Sequence, residues 1–261
     1  MELFDTHAHL TDEQYDDLQE VLERARTNGV TRVVIPSSDV RSNYEGAAAA
    51  DPDNGVYYTV GIHPLEANHW DDAIESHIIS QLEAMPPGLV AVGEIGLDYH
   101  YDYTPKDIQM KVFGRQMDLA FTYDLPVVIH CREAFGDMLE FMQARGAAGK
   151  LRQNPGVFHC YSGSPEVAQE LLKLGFYLGF DGPITFKNAR KSIEVIMEAP
   201  RERLVLETDS PYLAPEPRRG RRNEPANMVY IARKLAELWD VTPEEAAAVT
   251  TANGLRLYEI S

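Results

Sequence analysis

The sequence predicts a single (β/α)8 domain, a TIM barrel covering residues 1–261. Three observations lead there. Short apolar runs alternate with segments of helical periodicity along the whole chain, the pattern of a parallel sheet whose strands are joined by crossover helices. The runs number eight, and 261 residues is a fitting length for eight such units. Residues of metal-ligand type recur at the C-terminal ends of the runs, the ends at which barrel strands present chemistry. An open doubly wound sheet is the alternative, but it rarely needs so many units and would not gather side chains from so many strand ends.

The first run, Leu3-Phe4, leads into Asp5-Thr6-His7-Ala8-His9-Leu10. Side chains two apart on a strand share a face, so His7 and His9 point at one spot. Residues 12–28 place Tyr15, Leu18, Val21, Leu22 and Ala25 at helical spacing, with Gly29 as a stop. T-R-V-V-I-P-S at 31–37 reads as a strand buried on both faces, and an alanine-rich helix runs from there to Ala50. V-Y-Y-T-V-G-I-H at 56–63 is the third strand, followed by a helix at 71–84 that Pro86-Pro87-Gly88 closes. L-V-A-V-G-E at 89–94 is the fourth, and a long polar loop separates it from a helix at 105–123. Strands five to eight fall at 126–130, 156–159, 176–180 and 203–209, with helices at 133–145, 164–174, 188–198 and 224–238 and a last helix after Pro243. No linker or low-complexity segment interrupts the series.

Lys and Arg total 24 against 41 Asp and Glu, a net charge of −17. Such a surface repels a polyphosphate over most of its area, so nucleic acid would be handled only at a locally positive or metal-bearing patch. No apolar run approaches the roughly 20 residues that cross a bilayer, and no signal peptide precedes the first strand, so a cytoplasmic protein without membrane contact is expected. Cys131 and Cys160 fit a reducing compartment. Each follows a histidine, so strand alternation turns both away from whatever the histidines face and into core packing.

Of eight histidines, five sit at or just past strand ends: His7, His9, His63, His130 and His159. Glu94 closes strand four and Asp209 closes strand eight. Either acid alone could simply cap a helix or turn, but together with the histidines they mark chemistry at a barrel mouth. Two cations held about 3.5–4 Å apart grip a water and a phosphoryl or carbonyl oxygen at once, and a carboxylate is the natural bridge between them. Glu94 is the candidate bridge. Asp209 joins His7 and His9 at the first ion and accepts the proton of the attacking water; His130 and His159 share the other oxygen of Glu94 at the second. His63 is either a phosphate contact or a hydrogen-bonded structural residue. Glu207 has the parity of Asp209 and faces inward, to orient a ligand histidine or a substrate group or to serve as a buried structural acid. Arg132 follows the His130 strand end, and Arg218, Arg219, Arg221 and Arg222 form a basic loop after strand eight that either binds phosphate or is a solvated surface. Tyr99, Tyr101 and Tyr103 alternate after Glu94, to stack on bases, to cover the site or to shield the barrel mouth. Four imidazoles suit Zn2+, Mn2+, Fe2+ or Co2+ better than Mg2+.

The motifs D-T-H-A-H-L at 5–10, G-I-H-P at 61–64, V-G-E-I-G-L-D-Y at 92–99, P-V-V-I-H-C-R at 126–132, F-H-C-Y-S-G at 158–163, L-E-T-D-S-P-Y-L-A-P at 206–215 and R-N-E-P at 222–225 span the chain. In this combination the sequence resembles the TatD family of metal-dependent deoxyribonucleases. The resemblance implies a (β/α)8 barrel, a hydrolase acting on DNA phosphodiesters, and two divalent cations, often Mg2+. It assigns His7, His9, Glu94 and Asp209 to one ion and Glu94, His130 and His159 to the other. A barrel mouth suits a strand terminus better than an intact duplex, so exonucleolytic trimming of single-stranded DNA ends is the expected activity. Alternatives are a metal-dependent amidohydrolase or esterase acting on a small molecule or an aminoacyl-tRNA, and a binding scaffold with a structural metal. Barrels that bridge their metals with a modified lysine on strand four are a poorer match, since this strand ends in Glu94.

Overall fold

The computed structural model describes every residue from Met1 to Ser261. Its strands are β1 (Leu3–Asp5), β2 (Val30–Ile35), β3 (Val56–Val60), β4 (Leu89–Asp98), β5 (Val127–Arg132), β6 (Gly156–Phe158), β7 (Tyr177–Phe180) and β8 (Leu204–Leu206). They lie in sequence order, each parallel to the next. Between them run α1 (Leu18–Thr27), α2 (Val40–Ala49), α3 (Asp72–Ala84), α4 (Lys106–Thr122), α5 (Phe135–Ala147), α6 (Pro165–Lys173) and α7 (Arg190–Glu198), followed by α8 (Met228–Trp239) and α9 (Pro243–Tyr258). The sheet closes just beyond its first and last strands. Thr6 N–H donates to the Leu206 carbonyl at 3.2 Å, Asp209 N–H to that of His7 at 2.9 Å, and His9 N–H to that of Ser210 at 2.7 Å. The seam of the barrel therefore fixes the backbone of three candidate ligands.

Two apolar compartments hold the fold together. The larger lies between sheet and helices and includes Leu22, Ile78, Phe113, Met138, Leu171 and Leu235. The smaller fills the barrel interior with Phe4, Val34, Val128, Val157, Val205 and their neighbours, and α9 contributes Leu257 and Tyr258 to it from below. The Tyr258 hydroxyl donates to the Thr6 carbonyl at 2.9 Å, directly beneath the first histidine.

Several boundaries differ from the sequence expectation, among them three at the site's own elements. The first helix begins at Leu18, because Asp12 accepts the backbone N–H of Gln14 at 2.9 Å and Tyr15 reaches the Asn223 carbonyl at 2.6 Å, local bonds that compete with helix. Strand β4 continues past Glu94 to Asp98, so part of the expected polar loop is strand. Strand β8 ends at Leu206, because Asp5 captures Thr208 through its N–H at 2.9 Å and its hydroxyl at 2.6 Å and turns the chain there.

Candidate metal centre

Along several strands the inward positions change from apolar to polar on the way to the barrel mouth. On β5 they run Val128, His130, Arg132; after β6 the line is Val157, His159; after β8 it is Val205, Glu207, Asp209. The valines belong to the barrel-interior cluster; alternation along β5 carries His130 to the mouth, and His159 and Asp209 reach it from just past the ends of β6 and β8.

There the nearest nitrogens of His7 and His9, both Nε2, stand 3.1 Å apart. Glu94 Oε2 is 3.3 Å from the first and 3.5 Å from the second, and Asp209 Oδ1 is 3.7 Å and 3.3 Å from them. Bonds of about 2.0–2.1 Å at tetrahedral angles give ligand-to-ligand edges of about 3.4 Å, so His7, His9 and Asp209 are close enough to share one ion, with Glu94 Oε2 beside both histidines. The other oxygen of Glu94, Oε1, is 2.7 Å from His159 Nε2 and 3.0 Å from His130 Nδ1, and these nitrogens are 3.2 Å apart. One carboxylate thus faces two imidazole sets. Glu94 Oε2 is buried and has no hydrogen-bond partner despite the two nitrogens beside it; a cation would satisfy it, and the His and carboxylate donor set suits a divalent one.

Within the cluster the carboxylates and imidazoles shift one another. Burial works against charge on Glu94, but the surrounding histidines outweigh it and hold its carboxyl well below the usual range. Asp209 is likewise lowered, burial being overcome by His9. Burial pushes His7 down to about 4. It is overridden at His9, which is raised by Asp209 and Glu94, and at His130, raised to about 9 by Asp98 and Glu94.

Asp98 is a site residue that the sequence reading passed over. It is buried; its Oδ2 lies 2.9 Å from His130 Nε2, and its Oδ1 accepts the His100 N–H at 2.9 Å. The signal available was the run Ile95-Gly96-Leu97-Asp98, which extends the strand beyond Glu94 and returns Asp98 to the inner face.

His63 Nδ1 accepts the Leu65 N–H at 3.2 Å, which leaves the proton on Nε2, 3.5 Å from Glu94 Oε1. Burial lowers its pKa to about 3 and keeps it neutral. A neutral imidazole in this tautomer offers the cleft a donor rather than a metal-binding lone pair. Glu207 lies below the cleft instead of on its wall. It is fully buried, its Oε1 accepts the Cys160 N–H at 2.5 Å and stands 3.7 Å from His159 Nδ1, so it faces a histidine and not a substrate. Cys131 packs in the core as expected. Cys160 does not: the chain has left β6, its φ is +43°, and strand alternation no longer applies. Its thiol sits within 4.8 Å of Asp181 and Asp209 carboxylate oxygens, and burial pushes its pKa well up.

Above the ligands opens a cleft of 540 Å³, with Arg132, Arg41 and Tyr101 on its walls. Arg132 is exposed and makes no ion pair, whereas Arg41 lies near Glu45 at 3.5 Å. Within the basic loop Arg222 is committed to the fold, and Arg219 and Arg221 are exposed. Arg222 pairs with Asp17 at 2.8 Å, Arg219 lies 4.1 Å from the Phe186 ring and Arg218 5.7 Å from that of Tyr230.

No helix is long and apolar enough to cross a membrane. Residues 4–259 match the family described as TatD related DNase. The chain is 45% identical over 262 residues to the uncharacterized metal-dependent hydrolase YabD of Bacillus subtilis, covering 99% of this chain and 100% of that one. It is 33% identical over 270 residues, 99% of both chains, to a Rahnella protein named 3'-5' ssDNA/RNA exonuclease TatD. The crystal structure of YJJV, a TatD homolog from Escherichia coli, superposes with a TM-score of 0.92 at 29% identity, covering 99% of this chain and 98% of that one. The chain therefore belongs to the TatD-related DNase family of metal-dependent hydrolases.

Proposed function

We propose that this chain is a divalent-metal-dependent deoxyribonuclease that hydrolyses phosphodiester bonds at single-stranded DNA ends. The observation that carries the reading is Glu94, whose two oxygens each face their own imidazole set at the floor of an open cleft. His7, His9, Glu94 and Asp209 would hold one cation and Glu94, His130 and His159 a second, with Zn2+, Mn2+ or Mg2+ as the ions. When bound, such a pair lowers the pKa of a water and neutralises charge developing on the phosphoryl oxygens. Asp209, kept ionised beside His9, accepts the proton the water gives up. His63 donates from Nε2 to a phosphate oxygen, and Arg132, free of any acid partner, holds a phosphate of the strand at the cleft wall. Glu207 lies below the cluster, 3.7 Å from His159 Nδ1 and without a hydrogen bond to it, and accepts the Cys160 N–H, so it anchors the backbone next to His159. A 3'-to-5' direction is supported by the Rahnella relative's name, and the free thiols of Cys131 and Cys160 accord with the cytosol.

The test is a labelled single-stranded oligonucleotide incubated with protein loaded with Mg2+, Mn2+ or Zn2+. A ladder of shortened products is expected, chelation abolishes it, and Asp209→Asn lowers kcat by about 10³-fold or more. Intact DNA under all three metals, with turnover of a chromogenic amide or ester panel, would replace this reading with an amidohydrolase or esterase.

A further inference from the structure

The loop after β4 carries exposed aromatic surface that the hydrolytic chemistry leaves unused. Tyr101 and Tyr103 are 39% and 69% exposed, yet their rings are stacked, with centroids 5.1 Å apart and planes within 4°. His100 packs edge-on against Tyr101 at 4.6 Å and is itself held by Glu133 at 2.7 Å. The Arg132 guanidinium lies 5.2 Å from the Tyr101 ring centre. Tyr101 and Arg132 line the same cleft as the candidate ligands, so the stack starts at the site and leads outward.

Exposed aromatic rings usually lose contact with water by packing down. These are held up by a fixed backbone. Gln109 donates from Nε2 to the carbonyls of Asp98 at 2.8 Å and Thr104 at 2.9 Å, so it pins both ends of the loop. Asn68 donates to the Tyr103 carbonyl at 3.0 Å, and the Thr104 hydroxyl donates to the Leu65 carbonyl at 2.8 Å. A platform held this way loses little further freedom when a flat ligand settles on it.

We propose that Tyr101 and Tyr103 are a nucleobase-stacking platform which, with Arg132 on the adjoining phosphate, binds the nucleotides flanking the scissile bond of a single-stranded substrate. This rests on the phosphodiesterase reading above and deepens it. Two stacked rings next to an unpaired guanidinium suit a chain of alternating bases and phosphates. Every base has a π-face, so the platform selects single strands over paired ones with little regard to sequence. A duplex keeps its bases stacked on one another and has none to offer.

The experiment compares wild type, Tyr101→Ala/Tyr103→Ala and Tyr101→Phe/Tyr103→Phe, all metal-loaded, on an oligonucleotide and on its counterpart with abasic sugars beside the scissile bond. The alanine pair is expected to raise KM about 10- to 100-fold with kcat near wild type, and the phenylalanine pair to behave as wild type. Abasic substrate should raise the wild-type KM by a similar factor and leave the alanine pair no further loss. A wild-type KM in the alanine pair, or an equal loss on intact and abasic strands, would overturn the platform. A second measurement separates this from the catalytic reading: 2-aminopurine in a hydrolysis-resistant oligonucleotide should be quenched by wild type and not by the alanine pair. Quenching without hydrolysis by wild type would keep the platform and remove the nuclease; hydrolysis without quenching would do the reverse.

Discussion

His130 is gripped from both sides, by Glu94 at Nδ1 and by Asp98 at Nε2. A ligand imidazole held by a carboxylate on its far nitrogen is fixed in orientation and made more basic, and loss of such a partner typically costs 10- to 100-fold in metal affinity. Asp98→Asn should weaken binding at the Glu94, His130, His159 set by about that factor, measured by competition with a chromogenic chelator. Unchanged affinity would reduce Asp98 to a loop anchor. Below His159, Glu207 packs tightly against Gly179. A Cβ on Gly179 would lie 2.5 Å from Glu207 Oε2, so Gly179→Ala should cost about 1–3 kcal/mol in chemical denaturation by forcing Glu207 out of place. That His7, His9, Glu94, His130, His159 and Asp209 converge was legible in the sequence, because imidazoles and acids at the ends of apolar runs are rare unless they share a task. Asp98 was hidden by Ile95, Gly96 and Leu97, which separate it from any obvious ligand pattern. Cys160 was misjudged because the strand stops two residues before it.

At the scale of elements, the alternation of buried strand and amphipathic helix was readable nearly throughout. What was not readable was where side chains capture the backbone. Asp12 and Tyr15 delay α1, and Asp5 shortens β8, each through hydrogen bonds to residues close in sequence or some 200 positions away. The role of α9 was equally silent, since nothing local says that its end turns into the barrel. Leu257 and Tyr258 enter the interior cluster and Tyr258 bonds to the Thr6 carbonyl, tying the bottom of the barrel to the backbone that carries His7. Tyr258→Ala should therefore cost about 3–5 kcal/mol, seen as a lower urea midpoint at unchanged slope. A loss under 1 kcal/mol would mean that α9 merely covers the barrel.

Over the whole molecule, a net charge of −17 and a nucleic-acid substrate look incompatible. In the proposed reading the barrel reconciles them by gathering its candidate metal ligands at one mouth, where bound cations would reverse the local sign, while Arg132 stands unpaired at the rim. In the basic loop Arg222 serves the fold through Asp17, while Arg218, Arg219 and Arg221 make no ion pair. The central claim is that one carboxylate holds two cations together. It is tested most directly by counting metal per chain, by inductively coupled plasma mass spectrometry, in protein equilibrated with Zn2+ or Mn2+ and freed of excess ion. Wild type should carry two ions per chain and Glu94→Ala should lose both tightly bound equivalents; a single ion in wild type, or two retained by Glu94→Ala, would contradict the account.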